Sequence, residues 1–213
     1  MFRKIIPILV LYATNFQFIF SQPQNFEGII KYIPLSPAVE YGDTLINYYS
    51  KNKIKITRTG MFVNKAGGLT DEVIDFENAP NTSLLYFAER NDLEVFESKV
   101  SGIDSTKIYP DSVVWILGFP CVKHEVYYQE SEYMGTHRLV VSNWATSYLH
   151  YLAPKTATTS ALHPDYSDGS IPLKYERKVY SKMVDGTSLV TSTTMIACEI
   201  IIRPLPDHVF KVP

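Results

Sequence analysis

The chain has 213 residues, of which 46% are apolar, 13% aromatic and 20% charged, and its formal net charge at pH 7 is −2. This composition is typical of a globular domain and excludes a collagen-like, low-complexity or multi-pass membrane protein. The near balance of charges gives no reason to expect nucleic-acid binding or a polybasic membrane surface. We therefore expect a single domain with a hydrophobic core and no nucleic-acid partner.

The first 21 residues have the pattern of a secretory signal peptide. Arg3 and Lys4 are followed by a mostly apolar run, and the segment reaches a small residue at Ser21. A retained membrane anchor is the alternative, but the strongly apolar stretch is shorter than the ~20 residues that span a bilayer. We predict a signal peptide at 1–21 and one β-rich domain at 22–213, periplasmic or secreted, with no transmembrane span after cleavage.

The remainder of the chain predicts an antiparallel sheet. Apolar residues recur mostly at every second position, most strictly over residues 53–58, and this period of two is typical of strands. Turn-forming pairs such as Asn91-Asp92 and Asp185-Gly186 separate the strands as hairpin tips. The expected strands are residues 26–32, 53–58, 72–76, 83–88, 93–98, 113–117, 121–128, 137–142, 173–180 and 189–202. The fold class is mainly β, with little helix.

Two segments between the strands have no clear strand pattern. Residues 143–152 are the best helix candidate, because Trp144 and Tyr148 fall on one side and Asn143 suits an N-cap, although a strand end followed by a turn fits equally well. Residues 154–170 are polar without periodicity and predict a loop or flap. Such a loop is either functional or a plain crossover.

No pattern of catalytic, metal-binding or cofactor-binding residues is recognisable. The chain has no phosphate-binding glycine loop, nucleophile elbow, Cys-x-x-Cys or His-Glu-x-x-His motif. We therefore predict no catalytic residue, no metal and no cofactor, and a protein that is not an enzyme. The remote alternative is a hydrolase that uses Glu130, Glu132, His124 or His137.

The two cysteines leave a disulfide open, because an exported chain meets an oxidising environment. Strand alternation puts Cys198 with apolar neighbours and Cys121 with Lys123 and Glu125, so one thiol is expected inside and the other outside unless a bulge reverses one of them. A Cys121–Cys198 bond and two free thiols remain equal alternatives.

Aromatic residues are the most informative candidates for a binding site. The chain has 15 tyrosines, several of them clustered. They suit a half-exposed pleated surface, and they equally suit the lining of a concave sheet that binds an apolar ligand, with the phenol groups at its mouth. The candidate lining residues are Tyr48, Tyr127, Trp144 and Tyr148.

Several short motifs resemble one family of secreted bacterial proteins. Residues 116–123, Ile-Leu-Gly-Phe-Pro-Cys-Val-Lys, resemble the Ile-Leu-Gly-x-x-Cys-x-Lys signature of the GLPGLI-type proteins of gram-negative bacteria. Residues 26–32 and 48–56 resemble the first two strands of that family, residues 169–173 its Gly-x-Pro-Leu element and residues 206–213 its C-terminal ending. The resemblance implies a fold similar to the lipoprotein carriers LolA and LolB, in which a curved antiparallel sheet forms an incomplete barrel around an apolar cavity.

Two functions remain after these exclusions. The first is an exported, non-enzymatic protein of the gram-negative envelope that binds a lipid, an acylated protein or another hydrophobic ligand in a half-barrel cavity. The second is a structural or interaction protein of the envelope, whose sheet interior is a filled core and whose edge or loop contacts an envelope protein.

Overall fold

The structure is a computed structural model that describes residues 25–35, 43–79, 82–97, 103–128, 136–151, 169–182 and 186–212. Eleven strands in these ranges account for most of the described chain. They are β1 Gly28–Pro34, β2 Leu45–Tyr49, β3 Lys53–Arg58, β4 Leu69–Asp75, β5 Thr82–Phe87, β6 Asp92–Glu97, β7 Ile103–Ile116, β8 Phe119–Tyr128, β9 Thr136–His150, β10 Ser170–Lys182 and β11 Ser188–Ile202. A short helix, α1 (Met61–Lys65), and a 3-10 turn, η1 (Asp207–Phe210), complete the described elements.

All eleven strands form one antiparallel sheet in the order β6-β5-β4-β3-β2-β1-β11-β10-β9-β8-β7. Two meanders, β1–β6 and β7–β11, are joined where β1 pairs with β11. The two edge strands follow each other in the chain, since only residues 98–102 separate them. Six Cα–Cα steps of 3.8 Å allow at most about 23 Å between the end of β6 and the start of β7, so the sheet curves into an incomplete barrel.

The hydrophobic core lies on the concave face of the sheet, which we call the inner face. Side chains at every second position of both meanders point to it and pack together, as strand geometry requires. Ring pairs such as Phe26–Tyr49 and Tyr49–Tyr151, with centroids 5.3 and 5.4 Å apart, fill its centre. The largest fully buried side chains are Tyr32, Tyr49, Tyr151, Ile30, Ile54, Ile56, Ile171, Leu173, Met195, Val126 and Val141.

An ion pair is also nearly buried on the inner face. The guanidinium of Arg58 at the end of β3 lies 2.7 Å from the carboxylate of Glu72 on β4, and their side chains are only 14% and 7% exposed. Tyr175 on β10 is close enough to Arg58 for the two to interact electrostatically; burial raises the pKa of this tyrosine, and the positive charges of Arg177 and Arg58 oppose the rise. The inner face therefore holds charge as well as apolar side chains.

The structure confirms the mainly β class, the antiparallel pairing and the small helical content. Residues 53–58 form β3 as predicted, and Asn91 lies in the turn between β5 and β6 with a φ of 48°. Of the two alternatives at 143–152, the helix is wrong and the strand end is confirmed, because β9 continues to His150 and pairs with β8 and β10. The predicted signal peptide at 1–21 and nearly all of the loop predicted at 154–170 lie outside the described residues; Ser170 begins β10.

The two cysteines have the opposite exposures to those predicted. Cys121 is fully buried, whereas Cys198 is exposed, and both thiols are free. A bulge explains the exposure of Cys198. Lys31 pairs with Glu199 and Tyr32 pairs with Ala197, so Cys198 has no partner residue on β1 and leaves the alternation of β11. Strands β9 and β10 also separate the two cysteines by three strand spacings, roughly 14 Å, whereas a disulfide needs Cα atoms within about 7 Å.

Candidate functional site

A groove of about 680 Å³ lies on the convex face of the sheet, which we call the outer face, where β8, β9, β10 and β11 run side by side. This volume is in the range of small-molecule sites. The residues that line the groove are Glu125, Tyr127, Val140, Ser142, Lys178, Tyr180, Ser181, Lys182, Ser188, Leu189 and Val190. Alternation accounts for most of this set, because residues 178, 180 and 182 share one face of β10.

The centre of the groove is apolar and open to solvent. Tyr180 pairs with Val190, and Tyr127 pairs with Val140, which brings two phenol rings beside two aliphatic side chains. Tyr180, Leu189 and Val190 are 43%, 53% and 55% exposed. Covering these side chains with an apolar ligand would release their hydration water at a gain of roughly 25 cal/mol per Å².

Lysines stand beside this apolar centre. Lys178 forms an ion pair with Glu176, with Nζ 3.2 Å from the carboxylate oxygen. No carboxylate among the described residues lies within ion-pair distance of Lys182. The groove thus combines apolar surface with positive charge, an arrangement that suits a ligand with an apolar and a polar part.

Glu125 organises the wall of the groove that faces β7. Its carboxylate accepts hydrogen bonds from the hydroxyls of Tyr109, at 2.6 Å, and Tyr127, at 2.7 Å, and from Nζ of Lys123, at 2.6 Å. The pairing of β7 with β8 and the two-residue alternation along β8 bring these four side chains together on one face. The network fixes the ring of Tyr127 against the groove.

The network changes the acidity of its members. Burial by itself raises the pKa of Glu125, but the hydrogen bonds from Lys123, Tyr109 and Tyr127 outweigh it and lower the pKa to about 2. The hydrogen bond to Glu125, followed by burial, raises the pKa of Tyr127 to about 12. Glu125 is therefore a charged acceptor at any physiological pH, which suits a positioning role rather than proton transfer.

Replacing Glu125 with glutamine should remove an acid-dependent part of the stability. Because the pKa of Glu125 is about 2 in the folded chain against an ordinary 4.5, its contribution is complete above pH 4.5 and is lost as the pH falls toward 2. Urea unfolding at several pH values between 7 and 2 should show a smaller loss of stability in Glu125→Gln than in the wild type. The exposed Glu94→Gln variant is the control, and an E125Q curve parallel to that of the wild type would contradict the role given to the network.

A second set of outer-face residues forms one row across four strands beside the groove. We call Tyr109, Lys123, Trp144 and Lys174 the outer ladder; they are in register on β7, β8, β9 and β10. Nζ of Lys174 is 4.2 Å from the ring centroid of Trp144, and Nζ of Lys123 is 4.9 Å from that of Tyr109. These are cation–π distances, so the rings hold the ammonium groups in line.

The structure brings only part of the predicted lining set together. Tyr127 lines the groove, and Trp144 belongs to the neighbouring outer ladder. Tyr148 is 48% exposed near the end of β9. Tyr48 lies on β2, four strands from β9, and alternates with Asn47 and Tyr49, which point to the core. None of the four lies in the filled centre of the inner face. The sequence analysis missed four lining residues, Lys178, Tyr180, Lys182 and Val190. The alternation in residues 176–182 was a signal for the three on β10.

The residues of the hydrolase alternative do not form a described cluster. Glu130 and Glu132 lie outside the described residues, as does the side chain of His137, and His124 is buried on the inner face. Within the described ranges, no three His, Cys, Asp or Glu side chains are grouped as metal ligands would be. None of the helices described has the length and hydrophobicity to cross a membrane.

Comparisons with known proteins identify a similar fold but no family. No protein-family model matches the chain, and no curated protein matches it in sequence. PNGF-II, a solved structure, is 15% identical over 87% of this chain, with a TM-score of 0.50, and this chain spans 30% of its length. An uncharacterised conserved protein from Thermus thermophilus is 11% identical over 95% of this chain and 94% of its own, with a TM-score of 0.41. The first likeness supports the sheet architecture alone.

Proposed function

We propose that this chain is an exported, non-enzymatic protein of the gram-negative cell envelope that binds an amphipathic ligand, such as a lipid or an acylated peptide, in the outer-face groove. The observation that carries the proposal is the groove itself, in which exposed apolar side chains lie beside lysines. A concave surface in which a few apolar side chains meet charged and hydroxyl groups is the usual form of a small-molecule site.

The proposed ligand binds on the outer face, whereas a ligand of a LolA-like half barrel would bind on the inner face. Tyr32, Tyr49 and Tyr151 are fully buried in the centre of the inner face, together with the aliphatic core. An acyl chain would have to displace these rings to enter there, at a cost of several kcal/mol. The outer-face groove needs no such rearrangement, because Tyr180 and Val190 already face solvent.

Export and envelope location belong to the same proposal. They follow from the signal-peptide pattern of residues 1–21 and from the GLPGLI-type motifs, among them residues 116–123. In the structure, residues 116–119 surround the two-residue turn between β7 and β8, in which Leu117 and Gly118 have φ values of 49° and 84°. This is a tight hairpin, for which a glycine is well suited.

A ligand retained by the protein would be the direct test. The full chain should be expressed with its own N-terminal segment in a gram-negative host, purified from the envelope fraction without detergent, and measured by native mass spectrometry with lipid extraction. We expect a bound lipid or acylated peptide, and uptake of an apolar fluorescent probe by the protein after delipidation. An apo mass together with no probe uptake would overturn the proposal.

Val190→Asp tests the position of the site. A carboxylate in the apolar centre should weaken probe binding about tenfold or more, because the ligand loses an apolar contact and must cover a charge. Ile202→Asp is the matched control, since Ile202 is 64% exposed at the other end of β11 and belongs to neither candidate surface. Equal probe binding by V190D and I202D would place the ligand elsewhere.

A second candidate function is favoured by the two edge strands. Exposed apolar side chains are concentrated there, including Val95 and Phe96 on β6 and Val114 and Trp115 on β7, the last 72% exposed. An edge strand with apolar side chains can pair with a partner strand. An identified envelope protein that binds the wild type and V190D, but not Trp115→Lys, would favour this interaction role.

A further inference from the structure

We propose that the outer ladder is a second binding site, and that its ligand is an acidic oligosaccharide, a sugar chain with carboxylate or phosphate groups along its length. This goes beyond the proposed function, because the groove and the ladder are different surfaces. Successive residues on one face of a strand are about 7 Å apart. The outer ladder is therefore about 7 Å from Glu125 and Ser142, which lie at the near end of the groove. The apolar centre of the groove lies beyond these two residues, further from the ladder along the same strands.

The first argument is positive charge without an ion pair, at Lys174 in the ladder and at Lys107 in the neighbouring row. Lys174 has no carboxylate within ion-pair distance among the described residues, and neither has Lys107, whose Nζ is 4.7 Å from the ring centroid of Tyr109. Lys123, between them, is paired with Glu125. The aromatic rings hold the two outer lysines in place without consuming their N–H donors, which remain for charge-assisted hydrogen bonds to an anion.

The second argument is the linear arrangement. The lysines lie on β7, β8 and β10, so the two outer ones are about three strand spacings, or roughly 14 Å, apart. A single phosphate or carboxylate contacts only one of them. An extended ligand with several anionic groups contacts both, and its direction is set across the strands.

The third argument comes from the neighbouring row, which identifies the kind of polyanion. Lys107, Glu125, Ser142 and Glu176 are in register on β7–β10, one step from the ladder. The Glu125 carboxylate already accepts three hydrogen bonds and Ser142 is buried, so the acceptor left for a sugar hydroxyl is Glu176, whose Oε2 has no donor among the described residues. The same carboxylates repel a densely charged strand such as a nucleic acid or a polyphosphate. A ligand that carries both anionic groups and hydroxyl donors fits the two rows together.

The distribution of charge over the outer face supports an anionic ligand. The formal net charge is −2, yet the charged side chains that strand register assigns to the outer face of β7–β10 are five lysines and two glutamates: Lys107, Lys123, Lys174, Lys178, Lys182, Glu125 and Glu176. Two exposed aspartates of β7, Asp104 and Asp111, lie at the irregularities of that strand. An anionic ligand is therefore attracted to this face, over a range of about 10 Å at ordinary ionic strength.

Binding of short alginate oligosaccharides, measured by calorimetry at low ionic strength, tests the proposal. Uncharged dextran oligosaccharides of the same length, inorganic tripolyphosphate and a short oligothymidylate are the comparison probes. We expect alginate to bind more tightly than each of them. Equal or tighter binding of tripolyphosphate or oligothymidylate would overturn the assignment to a saccharide, and equal binding of dextran would show that the lysines contribute nothing.

Charge variants test the site itself. The double variant Lys107→Gln with Lys174→Gln should weaken alginate binding about five- to tenfold, the effect of two exposed ion pairs. Lys51→Gln with Lys211→Gln removes two exposed lysines elsewhere and should change the affinity less than twofold, while Lys174→Arg should retain it. Equal affinities of the two double variants would overturn the proposal.

The apolar-probe assay separates this proposal from the groove. K107Q/K174Q should bind the probe like the wild type, and V190D should bind alginate like the wild type. If the probe fails to bind while alginate binding depends on Lys107 and Lys174, the groove proposal fails and the ladder proposal stands. If the probe binds at the groove while alginate binding does not depend on Lys107 and Lys174, the ladder proposal fails and the groove proposal stands.

Discussion

Arg58→Leu should destabilise the fold by about 3–5 kcal/mol, because it removes the guanidinium that forms an ion pair with the buried carboxylate of Glu72. The Arg58 guanidinium is 2.7 Å from that carboxylate, and both side chains are largely removed from solvent. Equilibrium urea unfolding, followed by tryptophan fluorescence, measures the loss.

The double variant Arg58→Leu with Glu72→Leu separates the pair interaction from the penalty for burying the Glu72 carboxylate without the Arg58 guanidinium. Since both charges are removed, we expect it to recover most of the stability lost in the single variant. Arg90→Leu is the surface control. Arg90 forms an ion pair with Glu94, but both side chains are about half exposed, at 52% and 48%, so its loss should cost less than about 1 kcal/mol. An R58L variant as stable as R90L would contradict the buried role of the pair.

Gly28→Ala should cost about 3 kcal/mol or more, because two penalties combine at this position. Gly28 has a φ of 156°, and a Cβ atom there would lie 2.1 Å from the backbone oxygen of Ile201 and 2.9 Å from the ring of Phe26. Gly28 also belongs to the β1–β11 strand pair that joins the two meanders. The clash therefore acts on the pairing that holds the two halves of the sheet together.

Gly186→Ala is the matched control for this contact. Gly186 has a φ of 84°, but no atom within 4 Å would meet its Cβ, so only backbone strain of about 1–2 kcal/mol is expected. Comparing the unfolding midpoints of G28A and G186A isolates the cost of the close approach between β1 and β11. Equal midpoints would show that β1 shifts without loss of stability and that the contact between β1 and β11 tolerates a side chain at position 28.

The local pattern predicted most strands but not their ends. Strict alternation at residues 53–58 gave the bounds of β3, whereas the strand signal at 137–142 covered less than half of β9. The aromatic spacing around Trp144 and Tyr148 suggested a helix there, because a period of three to four residues is indistinguishable from an irregular strand over so short a segment. Hydrogen bonds from β8 on one side and β10 on the other decided in favour of the strand.

The binding-site prediction was limited by the same lack of tertiary information. Sequence clustering identified tyrosines as candidates, and Tyr127 does line the groove. It did not show that Tyr48 is four strands away from β9, or that Tyr180 and Val190 face each other across β10 and β11. Those neighbours come from strand pairing between distant parts of the chain, which a single sequence does not specify.

By itself, the sequence determined that this protein is mainly β and antiparallel, because alternating hydrophobicity and turn residues are local properties of the chain. Only the tertiary structure decided how the strands are ordered, which face is filled and where charge collects. Cys198 shows the physical reason, since one bulge between Lys31 and Tyr32 sets it outward against its apolar neighbours. Which face a side chain takes depends on register, and register is fixed by the partner strands.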